Sequence, residues 1–321
     1  MKLIFDLGFR CFRTLFFRKE EKIAADFFTL PLPDCLEINR DAYLANLQKF
    51  LPKLLKTLRF NEFQISALLS PAFFDYKLFS GKGEKGSFVY ENPGHPQKMK
   101  LKITPEPGLL ENFNLLLTEQ KIEATFLGCA LTAELDAALS LLSRPPFNRR
   151  KEEISLFLSI GHGCAHLFFL KKDCIISYST NKDCGALHLD QEILRHNPTD
   201  PDKVNTFKEN ELIFLPSFKK QTQNIVPAFT HCRSFFENLQ LWINESVQDF
   251  QKEYPRFKPV ELFYSGGIGA MRNFPVYLSQ TINLPVVSLI EAVFADTEEV
   301  SHILPAEFYS SAICHGWKEK L

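Results

Sequence analysis

The chain has 321 residues, too many for one small domain and suited to two domains or a duplicated fold. It is 45% hydrophobic and 23% charged, enough to bury a sizeable core, and 37 basic against 38 acidic residues give a net charge of −1. That balance does not point to nucleic acid, and no run of about 18 apolar residues is present to span a membrane.

Residues 3–7, 11–17 and 23–30 read as three short strands of a meander, with a turn at Gly8. Asp6, Arg10 and Arg13 interrupt the apolar N-terminus, so it does not read as a signal peptide. Residues 41–58 form an amphipathic helix with Asn39 or Asp41 as its cap, and Pro52 is expected to kink or split it. Strands follow at 63–69 and 73–79. Residues 81–97 carry Gly81, Gly83, Gly86 and Gly94 with little periodicity and are expected to form a mobile loop. A strand at 99–103, a helix at 106–119, a strand at 122–126 and a helix at 132–142 capped by Thr132 complete the first half. Residues 143–150 read as a linker.

The second half opens on a strand, turn and strand at 154–178, then a helix at 183–196. Residues 197–227 are polar and carry no assignment. The longest helix is 229–254, with its apolar stripe taken as core. A buried strand at 260–264 runs into Ser265-Gly266-Gly267. A helix at 274–281, a strand at 284–289 and a small-residue helix at 306–316 close the chain. The eight cysteines are scattered without a CxxC pair, which fits a reducing, cytosolic compartment.

One internal repeat organises these elements. The stretch 157–173 has a counterpart at 5–20, and a constant offset of 153 matches Gly8 with Gly161, Cys11 with Cys164 and Phe16 with Phe169. Asp6 falls opposite Ser159. A strand meander followed by alternating helices and strands, occurring twice, is the pattern of a duplicated ribonuclease-H-like fold, the architecture of actin, Hsp70 and sugar kinases.

Several stretches carry candidate chemistry. Gly161-His162-Gly163 is either a phosphate loop or a plain hairpin turn. Ser265 to Gly269 lacks the third glycine of a dinucleotide fingerprint, and close helix–strand packing is its structural alternative. His162, Cys164 and His166 alternate, so on a strand they would share one face. That arrangement would suit a metal or an activated thiol, against ordinary strand residues. The serine-hydrolase elbow is absent.

Four stretches resemble one family: Asp6-Leu7-Gly8, Ser159-Ile160-Gly161 within 154–178, Tyr264-Ser265-Gly266-Gly267 within 262–289, and residues 305–316. The chain is similar to the PilM group, actin-like cytoplasmic proteins of pilus and secretion machines related to FtsA, and to the cytoplasmic part of GspL. The resemblance implies an α/β chain with a duplicated ribonuclease-H-like (actin-like ATPase) fold and a reduced inserted subdomain. Residues 1–82, 127–146 and 305–321 would form the first half, 83–126 the inserted subdomain, and 147–304 the second half.

In that family two glycine turns grip ATP phosphates, a carboxylate beside each turn serves Mg²⁺, and an SGG turn packs on the nucleoside. The residues carried over are Asp6, Gly8, Ser159, Gly161, Gly163, Ser265, Gly266 and Gly267. Ser159 replaces a carboxylate, and Phe9 and Arg10 crowd the first turn. The expectation is therefore a degenerate nucleotide site with no cofactor and no catalysis. An active ATP-binding protein is the alternative and a sugar-kinase-like enzyme a weaker one. The resemblance further implies a scaffold of a type IV pilus or type II secretion platform, at the inner face of the inner membrane. It would bind a cytosolic segment of a bitopic inner-membrane protein of the PilN or GspM type, with the assembly ATPase as a second partner, and would meet the membrane only through them.

Overall fold

The first meander forms as expected: β1 (Lys2–Leu7), β2 (Cys11–Phe17) and β3 (Ala24–Thr29) pair antiparallel in sequence order. The computed structural model describes residues 2–17, 24–29, 37–57, 64–81, 86–92, 94–145, 147, 150–172, 174–196, 204, 208, 225–271, 273–294 and 310–316. Two more strands, β4 (Gln64–Leu69) and β8 (Ala124–Cys129), extend the sheet in parallel, giving the order β3-β2-β1-β4-β8. The second half repeats this plan. Antiparallel β9 (Glu153–Ile160), β10 (Ala165–Lys171) and β11 (Cys174–Asn181) are joined by parallel β12 (Lys258–Ser265) and β13 (Val286–Ser288), in the order β11-β10-β9-β12-β13. The offset of 153 is thus a duplicated five-stranded sheet.

A third sheet separates β4 from β8 in the chain. It contains β5 (Phe74–Phe79), β6 (Phe88–Tyr90) and β7 (Lys100–Pro105) in the order β5-β7-β6.

The helices are α1 (Arg40–Thr57), α2 (Leu109–Glu119), α3 (Ala130–Leu142), α4 (Ala186–His196), α5 (Ile225–Glu253), α6 (Phe274–Ile282), α7 (Leu289–Phe294) and α8 (Ser310–Gly316). Asn39 caps α1, its Oδ1 accepting from the Asp41 and Ala42 amides at 2.9 and 3.1 Å. The helix runs through Pro52 without splitting.

Three other expectations shift. Thr132 is not a cap: α3 begins at Ala130, and the Thr132 hydroxyl donates back to the Cys129 carbonyl at 2.6 Å. The strand expected at 284–289 ends at Ser288, where α7 starts. Of the segment 81–97, the described part is held in place. It contains β6, and its Asn92 and His95 side chains bond the backbone of β11. The unassigned stretch 197–227 and the beginning of the expected helix at 306 lie mostly outside the described residues.

Alternation along β9 divides the core. Phe157, with Phe168 and Phe263, faces a cluster shared with β1, β4 and α3. Leu156 and Leu158, with Leu167 and Phe169, face α5 through Phe235, Phe236 and Leu239. The second sheet is therefore covered on both faces, which is why β9 reads as an unbroken apolar run. Each fully buried Phe or Leu contributes about 1.5–3 kcal/mol to this core. Helix α3 is buried on nearly every side, and it contacts β8, β9 and β10. It carries one acid, Glu134, into the region where the two halves meet.

Candidate functional site

The ends of β1, β9 and β12 converge on a cavity of about 140 Å³ between the halves. Its lining includes Asp6, Gly8, Ser159, Gly161, Gly163, Gly266 and Gly267, so seven of the eight residues singled out in the sequence meet there. The eighth, Ser265, is buried just behind them.

At Gly163 and Gly266 glycine is required for different reasons. A Cβ on Gly163 would sit 2.8 Å from both Ala72 Cβ and Ile38 Cδ1, so its absence lets the second half approach the first. Gly266 has φ +98°, and a Cβ there would lie 2.2 Å from the Ile160 carbonyl oxygen. The turn at 161–163 closes on itself: the Gly161 amide donates to the Cys164 carbonyl at 2.9 Å. Its carbonyls in turn receive the first amides of α4, Ala186 to Gly161 at 2.9 Å and Leu187 to His162 at 2.8 Å.

The charged groups of the cavity are matched largely by one another. Asp6 and Arg13 stand directly opposite across the β1–β2 ladder, and Arg13 Nη1 donates to Asp6 Oδ2 at 3.1 Å. Burial raises the Asp6 carboxyl above its ordinary range, with Arg13 pulling in the other direction. The equivalent pair in the second half is Ser159 opposite His166. Arg10 crosses the cleft to Asp190 on α4, which also meets Lys208 Nζ at 2.6 Å and His162 Nδ1 at 3.9 Å. Phe9 stacks on the His162 ring, with centroids 5.6 Å apart and planes 11° from parallel. The two side chains that interrupt the first turn, Phe9 and Arg10, thus bind the opposite half.

Glu134 is the feature that reading the sequence missed. Its Oε2 accepts from Ser159 Oγ at 2.8 Å and Ser265 Oγ at 2.7 Å, and its Oε1 from Ser311 Oγ at 2.8 Å. The carboxyl is buried and its pKa is raised by desolvation against the pull of the three hydroxyls. A signal was present: Glu134 is the one acid on the stripe that also carries Leu131, Ala138 and Leu141. Ser159 and Ser265 belong to the second half, so this cluster ties the halves together as the Arg10–Asp190 pair does.

His162, Cys164 and His166 do not all share one face. His162 sits in the turn against Phe9, while Cys164 Sγ lies 3.0 Å from His166 Nε2. Burial pushes the Cys164 thiol up to about 12 and the His166 imidazole down to about 3. Both groups are therefore neutral near pH 7, unlike an activated thiolate–imidazolium pair. Beneath them Tyr76 packs edge-on against His166 at 4.8 Å and hydrogen-bonds Cys129 Sγ at 3.0 Å. Among the described residues no cluster of three or more His, Cys, Asp or Glu could hold a metal.

A second concavity lies between two sheet edges. β8 ends the first sheet and β6 ends the three-stranded one, and both line a groove with Phe88, Tyr90, Phe126, Leu127, Asp136 and His315. Tyr90 donates to Asp136 Oδ1 at 2.6 Å across its floor. Phe126 is 41% exposed and rests on the His315 ring at 4.6 Å.

No protein-family model matches the chain, and no curated protein matches it. Solved structures do. A PilM–PilN type IV pilus biogenesis complex superimposes with a TM-score of 0.74 at 13% identity, over 99% of this chain and 98% of that one. The chain has an actin-like fold. The ethanolamine utilization protein EutJ from Carboxydothermus hydrogenoformans matches at TM-score 0.53 and 14% identity, over 91% of this chain and 86% of that one. MreB 5 of Spiroplasma citri, bound to AMPPNP, matches at 0.50 and 13% identity, over 100% and 99%. At such identities the likeness establishes the actin-like, ribonuclease-H-like frame, with PilM as a near structural counterpart. Among the described residues no helix is long and apolar enough to cross a membrane.

Proposed function

We propose that this chain is a non-catalytic actin-like adaptor on the cytoplasmic side of a type IV pilus or type II secretion platform, with a degenerate nucleotide cleft. The observation that carries this reading is the state of the cleft. The acid expected beside the second turn is Ser159, and its hydroxyl is bound to Glu134; Asp6 is bound to Arg13. A serine is a far weaker Mg²⁺ ligand than a carboxylate, so the pair of acids that would orient a metal–nucleotide complex is broken. The bonds that tie the halves together come from the protein's own side chains, a role a bridging nucleotide would otherwise serve.

The partner surface we propose is the groove between β6 and β8. Two strand edges that pair with no further strand among the described residues, beside apolar side chains, suit an extended segment that adds backbone hydrogen bonds and fills side-chain pockets. The likeness to a PilM–PilN complex supports a partner of the PilN or GspM type, a cytosolic segment of a bitopic inner-membrane protein. The protein would then meet the inner membrane only through that partner.

The test has two arms. Calorimetry with peptides from the cytosolic segments of candidate inner-membrane partners should detect binding, and Phe126→Arg should abolish it while leaving thermal stability nearly unchanged. ATP with Mg²⁺ at millimolar concentration should leave the melting temperature unmoved. Saturable stabilisation by ATP and Mg²⁺ that Asp6→Ala removes would instead establish an active ATP-binding protein.

A further inference from the structure

The three-stranded sheet belongs to the first half by chain, entering after β4 and leaving before β8. Its two ends are tied together where the Glu106 amide donates to the Phe73 carbonyl at 2.9 Å. Its side chains nevertheless hold the second half, along the length of the β10–β11 hairpin. Near the cavity, Tyr76 packs edge-on against His166, with centroids 4.8 Å apart. Midway, the Tyr178 hydroxyl donates to the Tyr76 carbonyl. At the far end the Asn92 side chain exchanges two hydrogen bonds with the Ile175 backbone, at 2.7 and 2.9 Å. Beside it His95 Nε2 donates to the Ile176 carbonyl at 3.2 Å. Its Nδ1 accepts from the Gln97 amide at 3.0 Å, which leaves the ring proton on Nε2. Asn92 and His95 are each only 3% exposed.

The spacing of these contacts has a mechanical meaning. His166 stands opposite Thr180 in the β10–β11 ladder, and Ile175 comes five residues earlier on β11, about 16 Å away at the rise of a strand. Ile175 is in register with Leu170 and, through it, with Ser155, at the end of the sheet remote from Ile160 and the cavity. The contacts across the cavity, Arg10 with Asp190 and Phe9 with His162, act at the near end alone. Two bodies joined at one end can swing about that join, and halves flanking a cleft commonly do so. Joined at both ends, they rotate only by breaking one set of contacts.

We propose that the inserted three-stranded sheet is a strap that locks the two halves in one arrangement, and that releasing it from β11 restores a hinge between them. The strap is directional. Once Asn92 lets go, the Ile175 amide and carbonyl are satisfied by water only if the halves part, so its loss favours the open arrangement. The lock holds whether or not the groove between β6 and β8 takes a partner.

Single-molecule energy transfer on the whole chain tests this, with dyes on non-natural side chains introduced at Gln48 of α1 and Leu241 of α5, both exposed. At that dilution self-association plays no part. The otherwise unaltered chain should show one narrow transfer efficiency. Asn92→Ala with Tyr178→Phe removes three of the strap's hydrogen bonds. It should raise the open fraction by about tenfold or more, read as a second population. Ser246→Ala removes a hydrogen bond to Ser179 inside the second half and should leave the single population intact. Should the double variant fail to fold, Asn92→Ala alone supplies the comparison. The proposal is overturned if the unaltered chain already shows two populations, if the strap variants keep the single narrow one, or if Ser246→Ala opens the halves equally.

Discussion

Ser159 and Glu134 define each other. A hydroxyl 2.8 Å from a buried carboxylate is a hydrogen bond, whereas a second carboxylate at that distance is a repulsion unless a proton or a cation lies between them. Ser159→Asp should therefore lower stability by about 2–4 kcal/mol in the presence of EDTA, read as a fall in melting temperature. Mg²⁺ should recover part of that loss in the variant and leave the unaltered protein unmoved. Glu134 also has a pH signature. Burial raises its folded-state pKa above the ordinary 4.5, so the folded chain holds this proton to higher pH than the unfolded chain does. Its contribution to stability is complete below 4.5 and is lost as pH rises through the folded value. Glu134→Gln should flatten that part of the stability–pH curve, measured by denaturant titration across the acid range. Asp6 adds a contribution of the same sign. The sequence made Ser159 conspicuous because the repeat set it against Asp6. It left Glu134 hidden because its partners, Ser159, Ser265 and Ser311, come from three separate segments that only the fold assembles.

At the scale of elements, the turns decide what the cleft can be. Gly161 tolerates a side chain, since the nearest atom to an added Cβ is 3.5 Å away, whereas Gly266 combines φ +98° with a 2.2 Å approach to Ile160. Gly161→Ala should cost no more than about 1 kcal/mol. Gly266→Ala should cost about 3 kcal/mol or more, and comparing their denaturation midpoints checks the ranking. Strand and helix positions were mostly legible because both periods are clear: alternation in β5, and a wide apolar face in α1. What periodicity alone could not place was tertiary. The glycine-rich run before β7 reads as loop, yet its Asn92 and His95 side chains find backbone partners on β11, 83 and 81 residues away. Likewise the alternation of His162, Cys164 and His166 suggested one face, but the turn ends before β10 begins and turns His162 towards Phe9.

For the whole molecule, the duplicated frame was readable from a single offset. Between the two copies the apolar strand positions and the pair Gly8 and Gly161 recur, whereas Asp6 falls opposite Ser159 and Arg10 opposite Gly163, so the repeat is a better guide to architecture than to chemistry.

One contact has a further consequence. β11 is the outer strand of its sheet, and the Asn92 amide both donates to the Ile175 carbonyl at 2.7 Å and accepts from the Ile175 amide at 2.9 Å. A single side chain thereby occupies a rung that an invading strand would use. An exposed rung is a nucleus for aggregation between copies of a chain. Asn92→Ala should leave the fold largely intact but make the protein self-associate with time at raised concentration, followed by light scattering. Asn92 would then be a guard against misassembly between copies of the chain.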